Sequence, residues 1–320
     1  MKTLKYIGLL LIALAVLSCA EDEEKTLRDD YLMKTVAPAI VGEPLEFAYA
    51  LGALEGILGS ATAEASIAGA PGTGFDPNSY HTDSRGNDVG VLVADTSTEN
   101  NLSLATFTAD TVAATLRYTY IVPEEAKGRS VSFTFSGEST TGETVNRKTP
   151  ELKISKMDLK RDIVMTNEDR CYFSLETMEA YTEAEVIDQG MTEKIDLIYG
   201  YDALTPDGYI YGHVLFSPGS EERYRNGRTV PDSFKKNKTK IEKYLFILDM
   251  QLSGAVPATF VDDIDFQTLD LSHALDYILS IKNNNSAFIE SEDGRYRAYI
   301  YVNRARSRTL TFGIKRYVME

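Results

Sequence analysis

Between Thr35 and Ser155 apolar and polar residues alternate with period two, in short runs broken by turn-forming residues, and that pattern commits a chain to β-strands. Leu45-Glu46-Phe47-Ala48-Tyr49-Ala50 alternates cleanly, as do Thr115 to Val122 and Ser130 to Ser136. Pro123 to Gly128 separates the latter two, and Thr140-Thr141-Gly142-Glu143 supplies the next turn. Residues two apart share a face of a strand, so each run offers one face to a core and one to water. Regular repetition of such runs predicts an antiparallel, immunoglobulin-like β-sandwich over 35–155. Val89 to Asp95 is more continuously apolar, as expected of a strand buried on both faces. Leu51 to Gly74, rich in Ala and Gly, suits either tightly packed strands or a short helix, and strands with loops are the better match.

After Met157 the character changes. Arg161 to Met165, Cys171 to Leu175, Lys194 to Tyr201 and Tyr209 to Phe216 read as strands. Thr182 and Glu185 stand at capping-box spacing and open a helix near Tyr181 to Val186. Asp232 caps a predicted helix through Leu248, with Phe234, Ile241, Tyr244, Leu245 and Leu248 on one face. Leu271 to Ile281 predicts a further helix, and Arg295 to Val302 with Thr309 to Val318 a closing hairpin. The expected class is α+β, a β-sandwich followed by a mixed α/β domain over 156–320.

The N-terminus has the order of a signal peptide over 1–18. Met1, Lys2 and Lys5 precede an apolar run from Tyr6 to Leu17 of roughly a dozen residues. A permanent membrane span needs about 20. Val16-Leu17-Ser18-Cys19 resembles the lipobox of bacterial lipoproteins, which implies a lipidated Cys19, carrying for example palmitate, and attachment to a membrane. Glu21, Asp22, Glu23 and Glu24 follow, within a charged linker over 19–34. An acidic run there resembles the surface-export signal of Bacteroidetes lipoproteins, and implies the outer face of the outer membrane.

The formal net charge of −15, two units more negative once Lys2 and Lys5 are removed, disfavours nucleic acid as a partner. Lipidation leaves Cys171 as the one remaining cysteine, so no disulfide forms within the chain. Its strand-like neighbours predict a buried, inert thiol. There is no Gly-x-Ser-x-Gly elbow, phosphate loop or His-Glu-x-x-His helix, so no catalytic residue, cofactor or metal is assigned. Asp262-Asp263-Ile264-Asp265 lacks the glycine and final Glu of a calcium loop and reads as a solvated acidic turn. His81-Thr82-Asp83 with Asp88 is read as a polar loop.

Aromatic placement is the more informative signal, with 19 Tyr and no Trp. Period two puts Tyr209, Tyr211 and His213 on one strand face. In the last hairpin it puts Arg295, Arg297, Tyr299 and Tyr301 opposite Tyr296, Ala298, Ile300 and Val302. The second set is the better core candidate. The Arg/Tyr face is then a candidate platform, stacking on sugars and donating to their hydroxyls or carboxylates, or else a ladder packed beneath another element. The basic tip Asn303 to Arg308 stands out in an acidic protein.

Tyr31 to Pro44, Ile154 to Val164, Tyr181 to Tyr201 and Gly212 to Gly219 together resemble a Bacteroidetes family of surface lipoproteins of unknown function. The resemblance implies an architecture and a location but no chemistry. The resulting expectation is a non-enzymatic binding or accessory lipoprotein of glycan or nutrient capture, in contact with an outer-membrane uptake complex. A fimbrillin-like adhesion subunit, with a strand released by cleavage after Arg28, is the alternative, and a hydrolase ranks last.

Overall fold

The computed structural model describes residues 26–201, 208, 210–245, 247–255 and 259–319. Cys19, Glu21, Asp22, Glu23, Glu24 and Tyr209 lie outside them. Up to Lys153 the chain builds two five-stranded antiparallel sheets. One runs Leu27–Met33, Pro44–Ala53, Ala113–Ile121, Gly74–Thr82 and Asp88–Leu92 in spatial order. The other runs Thr144–Lys148, Phe133–Ser139, Leu58–Ala65, Leu102–Phe107 and Ala94–Glu99. Their inward residues form one core, as the alternation requires. Ring centroids lie 4.8 Å apart for Phe47 and Phe133, 5.1 Å for Tyr49 and Phe135, and 4.9 Å for Tyr120 and Phe133. Each such pair contributes about 0.5–1.5 kcal/mol beyond its burial.

The Ala/Gly-rich stretch becomes the strand Leu58–Ala65, with Ala61, Ala63 and Ala65 buried. Small residues are needed opposite large ones. Gly137 pairs with Ala61, and a Cβ on it would sit 2.3 Å from the Leu51 side chain. Two expectations need correction. Leu27–Met33 is not linker but an edge strand paired with Pro44–Ala53, with Leu27 fully buried and Tyr31 and Met33 packed against the core. Its Asp29-Asp30 pair hides the alternation. Asp88–Leu92 is not doubly buried: it is the outermost strand of its sheet, and Val91 and Leu92 are exposed.

The second half contains two further five-stranded antiparallel sheets. The central one runs Asp158–Thr166, Thr309–Val318, Tyr296–Arg306, Ser286–Glu290 and Lys240–Tyr244. The outer one runs Glu179–Tyr181, Tyr172–Ser174, Leu197–Tyr201, His213–Phe216 and Tyr277–Ile281. They pack through Ala298, Ile300, Phe312 and Ile314 against Phe173, Leu197, Tyr199 and Leu215. Among the described residues α-helix is confined to Glu183–Asp188, Met250–Ser253 and Asp263–Thr268, so the described part is β-rich. The first of these carries the predicted capping box of Thr182 and Glu185.

The two longer predicted helices are not formed. Within 232–248 the chain becomes the strand Lys240–Tyr244 on the edge of Ser286–Glu290, with Asn237 held by the carbonyls of Glu193 and Ile195. Within 271–281 it becomes Tyr277–Ile281, beside His213–Phe216. Short helices are marginal alone, whereas pairing satisfies a sheet edge that would otherwise keep open backbone groups.

The two halves are joined by specific contacts. A bulge in Asp158–Thr166, where Asp162 takes a left-handed φ of 56°, accompanies Arg161 gripping both oxygens of Glu43 at 2.6 and 2.7 Å. Gln251 donates to the Pro38 carbonyl, and Ile40 packs in the same cluster as Met157, Leu252 and Tyr299. Among the described residues no helix is long and apolar enough to cross a membrane.

Candidate functional site

Of the two readings of the Arg/Tyr face, the ladder packed beneath another element holds: Tyr299 and Tyr301 belong to a second core. Tyr299 is 0% and Tyr301 4% exposed, packed with Leu252, Val261, Phe266, Leu271 and Phe288 beneath residues 247–255 and 259–271. The Tyr299 hydroxyl donates to the Ile247 carbonyl at 2.6 Å, and burial pushes its pKa up to about 12. Tyr301 donates to Asn284 Oδ1. Arg297 ion-pairs with Glu290 at 2.7 Å and donates to the Phe266 carbonyl at 2.6 Å. Arg295 alone of the set is exposed, its guanidinium over the Tyr296 ring. The period-two alternation holds along this strand, but both of its faces are covered.

The cover is fastened by a buried ion pair. Lys315 Nζ donates to Asp249 Oδ2 at 2.6 Å and to the Val261 carbonyl at 2.8 Å, both side chains being 0% exposed. Asp249 also accepts the N–H groups of Leu252 and Val261. Burial lowers the Lys315 pKa, against the pull of Asp249. The acidic run serves locally too: Asp262 and Asp265 form a capping box on Asp263–Thr268. Asp83 accepts from Arg85 and Asn87 within its own turn. Cys171 is buried, and that burial raises the pKa of its thiol.

Arg295 borders a cavity of about 120 Å³ with Glu176, Lys194, Asp196, Lys235 and Glu292. Burial pushes the Asp196 carboxyl up to about 7, although it accepts the Leu175 N–H at 2.7 Å. The surrounding charges are paired, Lys194 with Glu176 and Lys235 with Glu292, both at 3.0 Å. This is a structural seam between loops.

A larger cleft, of about 650 Å³, opens at one end of the outer sheet. Three neighbouring strands end there, so Tyr201 stands opposite His213 and His213 opposite Ile281. Opposite His213–Phe216 the strand Tyr277–Ile281 is bulged, with Ser280 left-handed at φ 51°. A second bulge, between Val302 and Arg304, changes which side chains face inward and brings Ala305 to the lining. Bulges re-aim side chains at sheet ends, and here both walls use one. The hairpin then closes on Ser307 and Arg308, both left-handed, as a two-residue turn of this twist demands. Asn283 Oδ1 accepts the Ala305 N–H at 2.7 Å and locks the tip against the Lys282–Asn285 turn.

The lining combines Tyr201, Ile210, Tyr211, His213, Ser280, Lys282 and Asn283. The Tyr201 and His213 rings lie 4.4 Å apart, and Tyr199 Oη lies 2.7 Å from His213 Nδ1, which fixes the imidazole from behind. Among the described lining residues there is no carboxylate and no thiol. Aromatic faces, an amide, an imidazole and one ammonium can stack on a ligand and donate hydrogen bonds to it. Sequence reasoning had paired Tyr211 with His213, and the structure brings them together, although the strand begins only at His213. It missed Tyr201, Lys282 and Asn283. The Lys282-Asn283-Asn284-Asn285 turn beside a strand end was the available signal.

The fold and cleft define a two-domain, β-rich protein with an open polar-aromatic pocket at the end of its second half. Residues 24–154 match the domain of unknown function DUF4466, and residues 155–319 the domain of unknown function DUF8576. A crystal structure of a DUF4466 family protein from Parabacteroides merdae is 40% identical, covering 92% of this chain and 99% of its own, with a TM-score of 0.86. The chain belongs to the DUF4466 family and carries a DUF8576 domain as its second half. BcpA, the major pilin subunit of Bacillus cereus, is 8% identical over 90% of this chain and 66% of its own, with a TM-score of 0.28. AvmM, which catalyses macrocyclization in alchivemycin A biosynthesis, is 10% identical over 41% of this chain and 89% of its own, with a TM-score of 0.24. Such scores carry no argument about fold or function. No curated protein matches the chain.

Proposed function

We propose that this chain is a non-enzymatic, lipid-anchored protein of the outer cell surface that holds a saccharide in the cleft at Tyr201, Tyr211 and His213. The observation that supports it is the lining itself: the stacking faces of Tyr201, Tyr211 and His213 converge with the Asn283 amide and the Lys282 ammonium. Cys19 supplies the anchor, the acidic run Glu21 to Glu24 directs export, and the immunoglobulin-like sandwich serves as a stalk beside a nutrient-uptake complex. A fimbrillin-like role fits less well. A cut after Arg28 falls inside the strand Leu27–Met33 and leaves Asp29 to Met33 paired, so no groove opens for a donated strand.

One experiment tests anchor and cleft in sequence. Cys19→Ala should abolish palmitate labelling and free the full chain from the membrane, and the freed chain should retain saccharides on a glycan array. Tyr201→Ala with Tyr211→Ala should then lower that binding at least tenfold, at about 0.5–1.5 kcal/mol per stacked ring, while the fold survives as read by circular dichroism, with some loss of melting temperature because both rings pack against the core. Equal labelling of the Cys19 variant overturns the anchor. Unchanged binding by the double variant overturns the cleft.

A further inference from the structure

The charge around the cleft narrows the ligand class. Lys282 lines the cleft and is exposed. Lys243 reaches the same strand end from behind, its ammonium donating to the carbonyls of Leu279 and Ser280 at 3.0 Å each. Both burial and the positive charge of Lys282 lower the Lys243 pKa, and no carboxylate offsets them. Arg304 and Arg306 flank Ala305 on the hairpin tip, exposed. Among the described residues none of these four cations makes an ion pair with a carboxylate, although the protein as a whole carries a net charge of −15.

Like charges gathered at one sheet end, with no carboxylate paired to them among the described residues, repel one another, and an anion would relieve that repulsion. The remainder of the lining dictates what kind of anion. Tyr201 and Tyr211 offer flat faces, and Asn283, its Oδ1 bonded to Ala305, keeps its amide nitrogen as a donor. We propose that the cleft takes an acidic oligosaccharide, one bearing carboxylate or sulfate groups, with Lys282 as the group that contacts the anion. Lys243 behind the strand end and Arg304 and Arg306 on the hairpin tip add positive potential around it, which salt screens. This rests on the cleft being a saccharide site.

The test uses the full chain bearing Cys19→Ala and three probes: a galacturonate tetramer, a sulfated galactose tetramer and the neutral galactose tetramer, titrated calorimetrically. One or both acidic probes should bind at least tenfold tighter than the neutral one, in the range of a charge-assisted hydrogen bond. That advantage should shrink between 50 and 500 mM salt, where screening grows, concentrations chosen around roughly physiological ionic strength. Lys282→Ala should lower acidic affinity at least fivefold with an unchanged melt, and Lys282→Arg should restore most of it. Equal affinity for acidic and neutral probes overturns the charge inference and leaves the saccharide site standing. Binding of none of the three overturns both. Binding of polyglutamate as tightly as of the best acidic sugar overturns the inference too, since charge without a sugar would then suffice.

Discussion

Tyr118 in the sandwich and Tyr299 in the second half are both fully enclosed, yet their hydroxyls fare differently. Tyr118 Oη is buried without a hydrogen-bond partner, and Ser103, which lies near enough to affect it, bonds to Thr98. Tyr299 Oη donates to Ile247 and receives the Asp249 N–H at 3.4 Å. The difference lies in what covers each ring. Tyr118 is covered by another sheet, whose backbone groups already satisfy one another. Tyr299 is covered by irregular chain, whose carbonyls and N–H groups need partners from side chains. Accordingly the buried charges among the described residues, Asp196, Asp249, Glu290 and Lys315, all lie in the second half.

The sharpest way to break this comparison is to remove the fastening. Lys315→Met leaves Asp249 charged and buried, and should cost about 3–5 kcal/mol in urea unfolding. Asp249→Asn added to it should recover much of the loss. A single variant as stable as the wild type would mean that the cover is held by apolar contact alone, like the sandwich.

Asp196 sharpens the same contrast through pH. Its carboxyl is pushed from 3.8 up to about 7 in the folded state, so the folded protein holds that proton more tightly than the unfolded chain. Its contribution is therefore greatest below about pH 4, declines as pH rises to 7, and is flat above, by up to roughly 4 kcal/mol. Asp196→Asn keeps an acceptor for the Leu175 N–H and removes the decline. The variant's stability relative to wild type should climb across pH 4 to 7, as measured by urea titrations at each pH, and parallel curves would refute the shift.

The smallest effect addresses the two tyrosines directly. Tyr299→Phe should cost about 1–2 kcal/mol, because the Ile247 carbonyl loses its donor. Tyr118→Phe should be neutral or slightly stabilising, because it removes an unsatisfied group. Equal melting shifts for the pair would erase the distinction between the two covers.

How much of this was legible follows the same division. The sandwich strands were readable because each exposes or buries residues according to its own alternation. Leu27–Met33 was obscured by two aspartates, and the cleft by bulges at Ser280 and Arg304 that no local pattern announces. Residues 232–248 carried helical spacing that an open sheet edge overrode.

The sequence by itself determined period two in most of the sandwich and in the last hairpin, the capping box at Thr182 and the separation of Ala298 and Ile300 from Tyr299 and Tyr301. Only the tertiary structure decided that both sets are buried, and that half-buried aromatic rings line a cleft instead at Tyr201, Tyr211 and His213. The physical reason is range. Alternation is set by neighbouring peptide units and is written locally. Whether the outward face of a strand meets water or residues 247–255 and 259–271 depends on packing between residues some fifty positions apart, such as Tyr299 and Ile247, which no periodicity records.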